Sequence, residues 1–155
     1  MEFEDGASRN SVRFVLLLHT LPEGSPRATH WDLLIQQADA LLAFALPALP
    51  PQLPQQVSQA GGLAWPATRL ADHRLRYLEY EGAIGPAYAG GPDRGSVRRL
   101  AAGWASCQVI PQPQQLYRWQ LVAAELRAMF TCAPCAVGQA TQLHIQSWDA
   151  GCTPA

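Results

Sequence analysis

The chain predicts an all-β fold: a small, single-domain β-barrel of roughly six to nine strands joined by long Pro/Gly-rich loops. Three observations predict it. Short apolar or alternating stretches recur along the chain, and clusters of Pro and Gly separate them. At 155 residues, 48% hydrophobic and 15% charged, the chain is long and apolar enough to bury one core. No internal repeat divides it.

In order, residues 1–11 read as a flexible tail, 12–149 as the barrel domain and 150–155 as a second tail. Val12–Leu18 is a strand, apolar on both faces. His30–Gln36 and Ala40–Leu46 are the next strands, with a turn near Gln37-Ala38-Asp39. Four prolines between Pro47 and Pro54 exclude regular structure there. Residues 55–62, rich in Gln and ending in Gly61-Gly62, are expected to continue this surface loop. A strand is expected from Arg74 to Glu81, with His73, Leu75, Tyr77, Glu79 and Glu81 on one face and Arg76, Leu78 and Tyr80 on the other. Gly82 to Gly95 holds five glycines and two prolines and reads as a loop. Ser96–Ala102 and Trp104–Ile110 are expected as two short strands. Leu116–Cys132 is ambiguous: its Ala, Leu, Glu and Arg content favours helix, yet Tyr117–Val122 and Leu126–Cys132 fit strands. Gln142–Trp148 is a final strand. The aromatic residues, scattered about one per strand, read as core.

Composition excludes several functions. The net charge of −1 gives no general attraction to nucleic acid. There is no Lys, and all 11 basic residues are Arg. Any phosphate contact would therefore be local and made by the bidentate guanidinium fork. No apolar run reaches the ~18 residues of a membrane span. The acidic start Met1-Glu2-Phe3-Glu4-Asp5 lacks the basic region of a signal peptide, so a cytoplasmic location is expected. The four cysteines then do not suggest a disulfide framework. Cys132-Ala-Pro-Cys135, with His144 and Cys152, matches no common zinc spacing and reads as a Pro-containing turn with two incidental thiols.

Two groups of residues carry chemistry. The first is His19-TLPEGSPRAT-His30-Trp31-Asp32. In a strand, i and i+2 share a face, so His30 and Asp32 point one way while Trp31, Leu33 and Ile35 point the other. If the flanking strands pair, His19 lies near His30. Two imidazoles and a carboxylate can hold one divalent ion with positions left open, a pattern suited to Mn, Fe or Zn. The plainer alternative is a capped, hydrogen-bonded histidine at a strand end. The second group is Asp72-His73-Arg74-Leu75-Arg76-Tyr77. His73 and Tyr77 would stand ~13 Å apart along a regular strand, closer with a bend. Beside a metal, such a pair can bind a phosphoryl oxygen and move a proton.

The order of these pieces resembles the 3′-phosphoesterase domain family of bacterial DNA ligase D. The resemblance is carried by Phe14-Val15-Leu16-Leu17-Leu18-His19, His30-Trp31-Asp32, Phe44-Ala45-Leu46-Pro47, Asp72-His73-Arg74-Leu75-Arg76-Tyr77 and Tyr80-Glu81-Gly82, and it spans about Arg13 to Trp148. It implies a small β-barrel, one manganese-type divalent ion (zinc being possible) on His19, His30 and Asp32, and His73 and Tyr77 acting at the phosphate. It implies removal of 3′-phosphates or 3′-ribonucleosides from DNA ends in repair. A repair ligase or polymerase partner would then be a separate chain. This chain departs from the family pattern at Leu34, where the family has Arg, at Leu17-Leu18, where it has Gln-Lys, and at Ala48, where it has Lys. Arg69, Arg94 and Arg98 are the candidates to supply the phosphate-binding charge instead. Two functions therefore stay open: a metal-dependent phosphoesterase acting on 3′ ends, or a catalytically weakened relative serving as a metal-containing binding or interaction module.

Overall fold

The computed structural model describes residues 10–47, 53–86 and 89–150. Alternation along its strands, shifted by bulges in three of the strand pairs, sorts the apolar residues into two layers. The strands are β1 (Val12–Thr20), β2 (His30–Gln37), β3 (Ala40–Leu46), β4 (Leu63–Arg74), β5 (Gly82–Ala83), β6 (Ser96–Ile110), β7 (Leu116–Ala123), β8 (Arg127–Cys132) and β9 (Ala140–Asp149), with one helix, α1 (Leu53–Ala60). Neighbours pair antiparallel in the order β1-β2-β3-β4-β9-β8-β7-β6, and β6 returns to β1 to close an eight-stranded barrel; β5 is an extra strand on β6. The fold class and strand number expected from the sequence are therefore found.

One face of each of the eight barrel strands points into the barrel. Phe14 and Leu16 of β1, Leu33 and Ile35 of β2, Phe44 of β3, Trp119 and Leu121 of β7, Phe130 of β8, and Leu143, Ile145 and Trp148 of β9 form this interior. The opposite face is also apolar on β1–β3. Val15, Leu17, Leu34, Leu41 and Ala43 make a second cluster outside the barrel wall, covered by Leu78 and Ile84. This explains why β1 reads as apolar on both faces: its outer side carries a second layer, the segment 75–86. Leu17 and Leu34 are 1% and 0% exposed, and a fully buried Leu contributes about 1.5–3 kcal/mol.

Several expected elements differ. The strand expected from Arg74 to Glu81 is instead the end of β4, Leu63–Arg74, followed by a 3₁₀ turn over Leu75–Leu78. Pro66 obscures β4 in the sequence. It is tolerated because it lies beyond Thr68, the last β4 residue paired to β3. The two short strands expected around Gly103 are one continuous strand, β6. A Cβ at Gly103 would meet the Val122 carbonyl at 2.1 Å, so this glycine permits a close strand approach and marks no break. Residues 53–60, expected as loop, form α1. Pro54 suits its first turn, and Gly61 (φ 69) closes it, with the Gly62 N–H donating to the Val57 carbonyl at 3.1 Å. Val57 seals the core beneath it. The ambiguous stretch 116–132 is the β7–β8 hairpin. Cys132 ends β8, and Cys107, Cys132 and Cys135 are free thiols. Cys152, Ala48 and most of both expected tails lie outside the described residues. Among the described residues, no helix is long and apolar enough to cross a membrane.

Candidate metal centre and phosphate cleft

His19 and His30 are register partners across β1 and β2, and Asp32 sits opposite Leu17. Alternation from Leu17 and Leu34 places all three polar residues on the outer barrel wall. The barrel interior is filled by the packed core, so the group lies outside the lumen. His30 and Asp32 are buried, and the His19 side chain is 11% exposed.

Their hydrogen bonds fix which atoms face each other. His19 Nε2 lies 2.7 Å from the Arg94 carbonyl and Nδ1 lies 3.1 Å from Asp32 Oδ2. His30 Nδ1 lies 2.8 Å from the Ala28 carbonyl, and Nε2 lies 3.0 Å from Asp32 Oδ1. A carbonyl only accepts, so each ring spends its N–H on the backbone and turns its lone pair toward Asp32. Asp32 Oδ1 is buried and receives no hydrogen bond, even though it stands 3.0 Å from His30 Nε2. Two lone pairs meeting in this way are met by a cation, and Arg27 Nη2, 3.2 Å from His30 Nε2, supplies one in this structure; a divalent ion at the site would replace it. The ligand atoms of all three residues lie within 4.8 Å of one another. Anchoring the outer nitrogen of a ligating histidine on a carbonyl is the arrangement that orients metal-binding imidazoles. By donor chemistry and by the orphaned oxygen, the residues fit a divalent ion. Among the described residues, this is the one such group of His, Cys, Asp or Glu side chains.

The electrostatics follow from the same contacts. The hydrogen bond to Asp32 raises the His19 pKa above its ordinary 6.5, against the opposing effect of burial. Burial by itself would raise the Asp32 carboxyl; interaction with His19, then with His30 on the other oxygen, outweighs it and lowers the pKa to about 2 whenever those rings carry a proton toward it. When His19 is protonated, its Nδ1 donates to Asp32 Oδ2.

His19 and Asp32 line a cleft of about 850 Å³ together with His73, Tyr77, Arg27, Arg74, Arg76 and Arg94; His30 lies just behind Asp32. Two irregularities bring the second group there. A bulge in β4 lies between Leu70, opposite Ala43, and His73, opposite Leu41. The extra residue turns His73 to the outer wall. The 3₁₀ turn then folds Tyr77 back, so its ring lies 5.8 Å from that of His73, where a straight strand would separate them by ~13 Å. His73 Nδ1 donates to the Ala71 carbonyl at 2.9 Å, which leaves Nε2 as the acceptor nitrogen.

The expected arginines divide. Arg94 lines the cleft, and its Nε donates to the Gly85 carbonyl at 2.6 Å. Arg69 does not line it: it pairs with Phe44 on the inner face and is held by Asp72 at 3.1 Å. Arg98 lies opposite Leu18, on the face away from Val97 and His19. Sequence reasoning missed Arg27, Arg74 and Arg76. Arg27 Nη2 donates to His30 Nε2 at 3.2 Å, and its position three residues before His30 was the available signal. Leu17, where the resembled family is polar, forms apolar floor of the cleft.

No model of a known protein family matches the chain, and no curated protein matches it.

Proposed function

We propose that this chain is a metal-dependent phosphoesterase acting on 3′-phosphate or 3′-ribonucleoside ends of DNA. One observation carries it. The ring nitrogens of His19 and His30 converge on the two carboxylate oxygens of Asp32, one of them orphaned, and His19 and Asp32 line the same cleft as His73, Tyr77 and four arginines. The resemblance of the ordered motifs supplies the 3′ end as substrate.

His19 Nδ1, His30 Nε2 and Asp32 would hold the ion, and two nitrogens with one carboxylate accept Mn or Zn. Bound there, a divalent ion supplies Lewis-acid polarisation of a phosphoryl oxygen and a more acidic water. The carbonyls of Arg94 and Ala28 keep both imidazoles oriented. His73, fixed through Nδ1, uses Nε2 to hold or pass a proton at the leaving oxygen, and the Tyr77 hydroxyl donates to a phosphoryl oxygen. The apolar floor at Leu17 and the fully buried Leu34 favour the second function, a metal-containing binding module.

A labelled primer ending in a 3′-phosphate or one ribonucleotide, incubated with the protein and Mn, separates the two. The enzyme converts both ends to 3′-hydroxyl, and His73→Ala slows it by about 100-fold or more. Unchanged primers with confirmed metal binding leave the binding module. Equal action by His73→Ala removes His73 from the chemistry.

A further inference from the structure

Arg76 is the one cleft arginine held in place by rings. Its guanidinium carbon lies 5.1 Å from the Tyr77 ring centre and 4.9 Å from that of Tyr80. The two rings stand edge to face, 5.9 Å apart, and the Tyr80 hydroxyl is tied to the Ala83 carbonyl. Aromatic faces fix a guanidinium without consuming its N–H donors. The neighbouring carboxylates are engaged elsewhere: Asp72 with Arg69 at 3.1 Å and Asp93 with the Gly95 N–H at 2.8 Å. Arg27 and Arg94, by contrast, already donate to His30 and Gly85. Arg76 therefore presents a charged fork, fixed in direction, beside the Tyr77 ring that His73 also touches.

We infer that Arg76 selects a terminal phosphomonoester over a phosphodiester in this cleft. The inference rests on the proposed function and narrows its substrate class. A phosphomonoester carries about −1.5 to −2 charges and three terminal oxygens at neutral pH. The phosphodiester joining a 3′-ribonucleoside carries one charge and two such oxygens. With one oxygen at the metal position, the monoester still offers two to a bidentate fork, and the diester offers one.

The test uses the full chain as wild type, Arg76→Ala and Arg76→Lys. Mn-loaded protein is assayed on one primer bearing either a 3′-phosphate or a 3′-ribonucleoside. Chelator-treated protein is titrated by fluorescence anisotropy with primers ending in 3′-phosphate, 5′-phosphate or hydroxyl. Arg76→Ala is expected to lose roughly 10- to 100-fold in kcat/KM on the 3′-phosphate and about threefold or less on the ribonucleoside, the cost of a charge-assisted bond pair. Arg76→Lys restores part of the loss, since it keeps the charge without the fork. The anisotropy preference for phosphate over hydroxyl ends falls in step. Equal losses on both substrates, or none, overturn the inference. An Arg76-dependent phosphate preference in binding, with neither end processed by wild type, upholds it while the catalytic proposal fails. No preference in either readout sinks it. Equal binding of 5′- and 3′-phosphates upholds the role of Arg76 and overturns the 3′-end assignment.

Discussion

Asp32→Asn separates charge from packing, because the amide keeps the shape of a side chain that is only 3% exposed. In the metal-free fold the carboxyl drops from 3.8 to about 2. That difference favours the ionised, folded state by about 2 kcal/mol. The sign follows from the direction. A depressed carboxyl contributes fully above its unfolded value of 3.8, and the contribution is lost as pH falls toward about 2. His19 is shifted the other way. Its contribution is complete below 6.5 and disappears as pH rises through its higher folded value. Chelator-treated wild type should therefore be most stable between about pH 4 and 6.5 and decline on both sides. Asp32→Asn should flatten both limbs and lose about 2 kcal/mol near the middle of that window. Urea unfolding across the pH range reads this directly. With metal, the variant lacks the anionic ligand, and calorimetric titration with Mn and Zn should show affinity falling by about 100-fold or more. Equal mid-window stability together with unchanged metal affinity would refute both the ion pair and the site.

Three further outcomes are expected. Gly95→Ala should cost about 2 kcal/mol or more and weaken metal binding: Gly95 has φ +83, its Cβ would stand 1.9 Å from the Thr20 carbonyl oxygen, and any relief displaces the adjacent Arg94 carbonyl that orients His19; thermal unfolding with and without Mn checks it. The rise in melting temperature caused by Mn should be larger at about pH 8 than at about pH 6, because the ion competes with the proton that Asp32 holds on His19; an equal rise would take His19 out of the ligand set. Cys132, 4% exposed and pushed up to about 12 by burial, should resist alkylation at about pH 8 until denaturant is added, while Cys135 reacts in the native protein; peptide mapping distinguishes the two.

The sequence by itself determined what depends on local period and on strand ends. Alternation in His30–Ile35 sends His30 and Asp32 to one face and Leu33 and Ile35 into the core, and the described strand agrees. The pairing of His19 with His30 followed from a single loop joining two strands. The β-barrel class followed from cadence and composition. Tertiary structure decided whatever depends on a register shift or on a distant partner. His73 faces the cleft only because β4 carries one more residue than β3 between Leu70 and His73. A one-residue shift inverts the face of everything after it, and no local signal marks it. Arg76 was expected on the side away from His73; the 3₁₀ turn, which buries Leu78 under the outer cluster, gathers both around Tyr77. Arg69 and Arg98 look the same in sequence as Arg94, yet their cross-strand partners Phe44 and Leu18 place them on the other face. Charge in a sequence has no direction until the ladder beside it is formed.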